Sequence, residues 1–250
     1  MSKELFDRDY NIIFAVTEKE KKRVYSLRHD VYCEELGFEP VNSSEAIEKD
    51  PFDERALHCL IEKRESGQAV GCARLVLPSE TLGSPFYRMP LELKFSSLFE
   101  SHEHHPDLFQ RKDICEISRV AILGDIRKGK KAKTLAQNPP QSVRTASFLK
   151  AGLFLSVLAL GKISNRQYGF AMMEPSLARL LSYSGFRFSR VSQYLEFNGK
   201  RAIYYSDWKE AVGQLCPEMH ELYEYIAERF SGDLVEHDMS RKGIAGYQKI

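Results

Sequence analysis

The stretch Ile114-Cys115-Glu116-Ile117-Ser118-Arg119-Val120-Ala121-Ile122 sets an acid and an arginine inside an apolar, β-branched run. A strand of this composition belongs in a sheet interior, where an unpaired charge is very costly. Glu116 and Arg119 therefore require partners. Arg28, Asp50, Asp53 and Arg74 lie upstream in segments able to fold against them. A network of acids and arginines beside a strand end reads as a polar-substrate site more naturally than as core. Side chains alternate along a strand, so Glu116 and Arg119 face opposite sides unless a bulge intervenes, and bulges occur beside active sites.

Upstream of this strand, residues 11–17 read as a strand and 18–35 as a helix capped by Thr17 and ended by Gly37. Residues 36–54 lack a period and carry Pro40, Asn42, Ser43 and Ser44, which marks a loop able to hold binding residues. Residues 55–63 and 70–77 form a hairpin across Glu65-Ser66-Gly67, and 78–112 is a polar connection with four prolines. Downstream, 123–141 is irregular and basic, 142–164 is a buried helix, 168–173 a strand and 175–184 a helix with proline in its first turn. Asn198-Gly199 turns a hairpin of 187–197 and 201–206. Residues 208–230 have helical periodicity, and the tail from Ser231 reads as polar and loose. The predicted fold class is α/β: a mixed central sheet whose 114–122 and 168–173 strands run parallel, helices on both faces, and a C-terminal helical extension over 206–250 of a single 250-residue domain.

Bulk properties narrow the function. With 43% hydrophobic residues, 250 residues suffice for one large core. A net charge of +1 gives no argument for nucleic acid. The five cysteines form no C-x-x-C pair, which speaks against a disulfide framework or a zinc knuckle and suits a reducing cytoplasm. The longest apolar run, 151–160, is far short of the ~20 residues that cross a bilayer, so no integral membrane segment is expected. His102, His104 and His105 are close in sequence but sit in a proline-containing polar loop, and the expected metal is none. His29 and Cys33, four apart on a helix, lack a third orienting group.

Five landmarks in order, Arg28-x-x-Val31-Tyr32, Gly37-Phe38, Asp50-x-x-Asp53, Gly71-x-x-Arg74-Leu75 and Glu116-x-Ser118-Arg119, resemble the GNAT-type N-acyltransferases. Within them the pattern is most similar to the acyl-homoserine lactone synthases and N-acyl amino acid synthases, with the nearest subgroup being acyltransferases associated with PEP-CTERM/exosortase systems. It departs from the synthases at Phe38, where they usually have Trp, and at Tyr32, where they have Phe.

The resemblance implies a GNAT-like sheet with a splayed parallel pair. The implied reaction moves an acyl group from a phosphopantetheine thioester, acyl-CoA or acyl carrier protein, to the amine of a small molecule, with no bound cofactor. Glu116 is then the candidate base, the alternative being an ion pair with Arg74 or Arg119. Arg28, Phe38, Asp50, Asp53, Arg74 and Arg119 are the candidate substrate-binding residues. For the two aspartates a turn or cap pair is the competing reading. Backbone groups of Val120 and Ile122 are candidates for the oxyanion and the pantetheine arm. Arg127, Lys128, Lys130, Lys131, Arg144 and Lys150 are candidates for docking an acidic carrier protein. No R/Q-x-x-G-x-G/A loop follows Ile122, which tilts the donor toward acyl carrier protein. A non-catalytic acyl-carrier binding module, and an acetyl-CoA-dependent enzyme acting on a protein amine, are the competing classes.

Overall fold

The computed structural model describes residues 3–41, 44–99, 103–127 and 141–237. In chain order it forms α1 (Lys3–Asp9), β1 (Tyr10–Phe14), α2 (Glu18–Arg28), β2 (Ala56–Lys63), β3 (Ala69–Val76), α3 (Pro90–Phe95), β4 (Ile114–Ile122), α4 (Gly124–Arg127) and α5 (Gln141–Ile163). There follow β5 (Tyr168–Met173), α6 (Pro175–Tyr183), β6 (Ser189–Arg190), β7 (Leu195–Glu196), β8 (Lys200–Asp207), α7 (Trp208–Gly213) and α8 (Pro217–His237). The eight strands make one sheet in the order β1-β2-β3-β4-β5-β8-β6, with β7 also on β8. All neighbours are antiparallel except β4 and β5.

Strand alternation sends side chains to two different layers. Leu75, Cys115, Ile117, Ala171 and Met173 pack with α5 and α8 in the larger core. The opposite face is covered by α2 over one half, against Leu60, Cys72 and Ala121. Over the other half it is covered by α3 and its flanking turns, against Ile114, Phe170 and Ile203.

Two departures from regular sheet geometry shape the centre. On β3–β4, Cys72 pairs with Ala121 but Arg74 pairs with Ser118, so Arg119 and Val120 together oppose Ala73. Arg119 takes φ +50°, a bulge conformation that brings its side chain onto the face of Glu116 and Ser118. On β4–β5 the parallel register runs from Ile114↔Tyr168 to Ile117↔Ala171 and goes no further, although both strands continue. The pair splays open beyond that point.

Several elements differ from the reading of the sequence. Residues 18–35 are helical, but the α-helix gives way to π-helix over His29–Glu35, where the Leu36 amide reaches back to the Val31 carbonyl. The proposed 208–230 helix breaks before Pro217, which has no amide hydrogen to continue the ladder. The helix extends past Ser231, α8 running on to His237, and the rest of the expected loose tail lies outside the described residues. The strand expected over 187–197 survives only as the short β6 and β7. Helix α1, not foreseen, is held by Phe6, which is buried edge-on against Phe148 of α5.

Candidate active site

The bulge and the 36–54 loop assemble a buried ionic network. Arg28, 0% exposed, emerges from the end of α2 and clamps Asp53 with two bonds of 2.6 and 3.1 Å, while its Nε donates to Glu48. Arg74 of β3 donates to Asp50 at 2.7 Å, to Asp53 at 3.0 Å and to the Ser118 hydroxyl at 3.1 Å. Arg119 donates to Glu48 and to Glu39, both at 3.0 Å, and lies 3.4 Å from Asp50. Asp50 and Asp53 also form a reciprocal cap on the short helical turn after Pro51. The cap and the charge network are therefore one construction. Burial raises the cost of charging Asp53 and Glu48, yet their arginine partners outweigh it and hold both carboxyls below the ordinary range. His58, fully buried beside Asp53, is driven by burial down to about 3 and stays neutral.

Glu116 stands apart from this network. It is 6% exposed and forms no ion pair among the described residues; its carboxylate accepts the Leu91 amide at 2.8 Å. Burial pushes its carboxyl up to about 7, against the opposing pull of that hydrogen bond and of the charges on Arg74 and Arg119. A carboxyl balanced near neutrality is suited to accept a proton and give it back. Neither Arg74 nor Arg119 forms an ion pair with it; both guanidiniums are paired with acids of the loop instead.

A cleft of about 590 Å³ runs through the splay. On the α2/α3 side it is walled by Asp50, Arg74, Glu116 and Arg119, with Phe38 and Phe52 at its edge. On the α5 side it is walled by Phe154, Ala171, Met173 and Leu177, all members of or packed on the larger core. Arg28 and Asp53 do not line it. A fully buried guanidinium already bonded to two carboxylates cannot also clamp a substrate, so both residues hold the wall from beneath. Tyr32 lines the cleft and fixes the bulge, donating its hydroxyl to the Val120 carbonyl at 2.8 Å; burial lifts its phenol to about 12 and keeps the donor protonated. Val120 also lines the cleft, whereas Ile122 pairs with Gly71 at the far end of β4.

The candidate docking cations are only partly placed. Arg127 pairs with Glu35 at 2.9 Å. Lys150 is half-buried, and burial lowers its pKa while Glu174, which follows β5, pulls the other way. Lys128, Lys130 and Lys131 lie outside the described residues, as does the side chain of Arg144. Arg111, another cation of that surface in the sequence, is instead buried against Glu92. Two acids escaped the sequence reading: Glu48, which joins Arg28 to Arg119, and Glu39. Neither stands in a periodic or motif context, and nothing in the loop's composition distinguishes them from Glu45.

Residues 27–137 match the model of the acetyltransferase (GNAT) domain. The fold is GNAT-like. Solved structures of similar shape include the AHL synthase LasI (18% identical, TM-score 0.59, covering 84% of this chain and 98% of that one). They include the CoA-dependent acyl-homoserine lactone synthase MesI (17%, 0.56, 88% and 95%). FeeM, an N-acyl amino acid synthase from uncultured soil microbes, is also similar (13%, 0.52, 82% and 94%). No curated protein sequence gives a significant match. Cys59 and Cys72 are buried thiols pushed up to about 12, and Cys33 is raised by burial too, which leaves none of them primed as a nucleophile. Among the described residues no group of His, Cys, Asp or Glu is disposed to hold a metal ion, and no helix is long and apolar enough to cross a membrane.

Proposed function

We propose that this GNAT-like chain is an N-acyltransferase that moves a fatty acyl group from a phosphopantetheine thioester to the amine of a small molecule, an amino acid or a derivative of one. The observation that carries the proposal is the two-armed cleft. An apolar arm on the α5 face suits an acyl chain, and a carboxylate-lined arm on the other face, with Glu116 in its wall, suits an amine.

In this reading the pantetheine arm enters where β4 and β5 part and bonds to their unladdered backbone edges. The neutral amine attacks the thioester carbonyl, forming the C–N bond. Glu116 takes the proton released from nitrogen, directly or through water. A backbone amide near Val120 faces the oxyanion. Collapse breaks the C–S bond, and the thiolate leaves with the proton Glu116 has held, giving amide and free thiol. An α-amino group has a pKa of about 7.7–8.0, so roughly a tenth is already neutral at pH 7 and a base of modest strength suffices.

The donor is acyl carrier protein or CoA. The missing pyrophosphate loop favours the carrier, while the CoA-dependent MesI shows that the same fold accommodates the nucleotide-bearing donor. Arg127 and Lys150 stand beyond the open ends of β4 and β5 and, with the basic run 128–133 between them in the sequence, suit an acidic carrier in a cytoplasmic setting. The similarity to exosortase-associated enzymes rests on the residue pattern alone, and no part of the proposal depends on it. The test is release of free thiol from acyl carrier protein or acyl-CoA across a panel of amines, with product mass giving chain length and amine. Absence of thiol release with every amine, amino acids and S-adenosylmethionine included, refutes it.

A further inference from the structure

The charges on the amine-facing arm are unequally committed. On and behind the wall built by β3, β4 and the loop, each arginine is already paired with at least two carboxylates. Arg28 holds Glu48 and Asp53, Arg74 holds Asp50 and Asp53, and Arg119 holds Glu39 and Glu48. Asp50 and Glu39 stand on the cleft beside Arg74 and Arg119, so an anion approaching either guanidinium also meets a carboxylate that already neutralises it. The accessible groups this wall offers are therefore acidic: Asp50, Glu39 and Glu116.

The facing wall is different. Lys94 on α3 and Arg201 on β8 both line the cleft. Lys94 has no ion pair among the described residues; its ammonium rests 4.1 Å from the centre of the Phe197 ring, an orienting contact that leaves its donors open. Arg201 meets the half-exposed Glu174 at 3.8 Å, a loose and screened pair, and otherwise makes only long bonds of 3.4 and 3.3 Å from Nε and Nη2 to the neutral Asn198 carbonyl. Both cations belong to the same face of the sheet as Glu116. Arg201 shares the strand parity of Ile203 and Tyr205, and Lys94 lies one turn beyond Leu91, whose amide holds Glu116.

We infer that Lys94 and Arg201 bind the carboxylate of the amine-bearing substrate and so select amino acids over plain amines. The zwitterion spans the arm, its nitrogen toward Asp50 and Glu116 and its carboxylate toward the two cations. This inference rests on the N-acyltransferase reading and adds to it the residues that choose the acceptor. The donor's phosphate is the wrong anion for this pair. It sits at the far end of the pantetheine arm from the thioester, whereas the open ends of β4 and β5 are bordered by Arg127 and Lys150.

The experiment compares an amino acid with its own carboxamide as acceptors for the full chain, Lys94→Ala, Arg201→Ala and the conservative Lys94→Arg. The wild-type protein is expected to favour the free acid in kcat/KM. Each alanine variant is expected to lose about 10- to 100-fold on the acid, the range for a hydrogen bond to a charged group, with little change on the carboxamide or in the donor's KM. Lys94→Arg is expected to retain the preference, and unchanged unfolding curves exclude a folding effect. An acid-to-carboxamide ratio equal in wild type and variants overturns the inference, as does a rise confined to the donor's KM. In either case acyl transfer itself remains standing. If the wild-type protein acylates no amine, the underlying reading falls and takes this one with it.

Discussion

Replacing Glu116 by Gln is expected to make the protein more stable and less active, by amounts that both grow as pH rises. The Glu116 carboxyl titrates at about 7 in the fold and at 4.5 ordinarily. About 2.5 pH units at ~1.36 kcal/mol each make the folded state lose roughly 3 kcal/mol relative to a neutral group. The sign follows from the raised value. Below pH 4.5 the acid is protonated both folded and unfolded, and nothing is lost. Between about 4.5 and 7 the unfolded chain releases the proton while the folded chain keeps it, so stability falls as pH rises. Above 7 the full cost is present. Glutamine cannot ionise, and its carbonyl can still accept the Leu91 amide. Urea unfolding of both proteins at pH 5 and 8 should show the variant's advantage widening by about 2–3 kcal/mol between the two. Over the same range kcat/KM of the wild type should rise with a limb near 7. The variant should lack that limb, keep only the one belonging to the amine, and be slower at pH 7 by about 10- to 100-fold. A stability difference that stays flat with pH, or a variant less stable at pH 8, refutes the assignment of Glu116 as a buried, unpaired carboxyl. Unaltered turnover refutes its role as the base.

Arg28→Met should cost about 3–5 kcal/mol at pH 7 in urea unfolding, because the buried Glu48 and Asp53 each lose one of their two arginine partners and the network is left with an excess of negative charge. That penalty should shrink on acidification as the two carboxylates, held down less strongly without Arg28, take up protons. Tyr32→Phe should cost about 0.5–1.5 kcal/mol in thermal unfolding through the lost bond to the Val120 carbonyl. Leu177→Trp, which fills part of the apolar arm, should shift the preferred acyl chain to shorter lengths in product mass spectra, each excluded methylene costing about 0.8 kcal/mol. An unchanged length profile would place the acyl chain elsewhere.

Much of the architecture was legible along the chain because it is local. The alternation and β-branching of 114–122, the Asn198-Gly199 turn with both residues at positive φ, the Thr17 cap and the Pro175 helix start each act within a few residues. Where the reading failed, a nonlocal or one-residue cause was at work. Pro217 breaks a helix whose apolar period continues across it. The π-helical His29–Glu35 preserves the look of an α-helix while shifting its register. Helix α1 exists because Phe6 finds Phe148 across the fold.

The site divides the same way. The chain by itself determined that charges on a buried strand must be neutralised, and it named Arg28, Asp50, Asp53 and Arg74 as the groups available, since desolvation leaves no other economical arrangement. Only the tertiary structure decided who pairs with whom. One extra residue at Arg119–Val120 turns Arg119 onto the face of Glu116 and into the reach of Glu48 and Glu39. All three arginines are taken up by acids of the loop and the turn after it, and among the described residues Glu116 has no ion-pair partner. A bulge and an ion-pair tally depend on the register between strands and on loop closure over many residues, and neither is written in the spacing of any one segment.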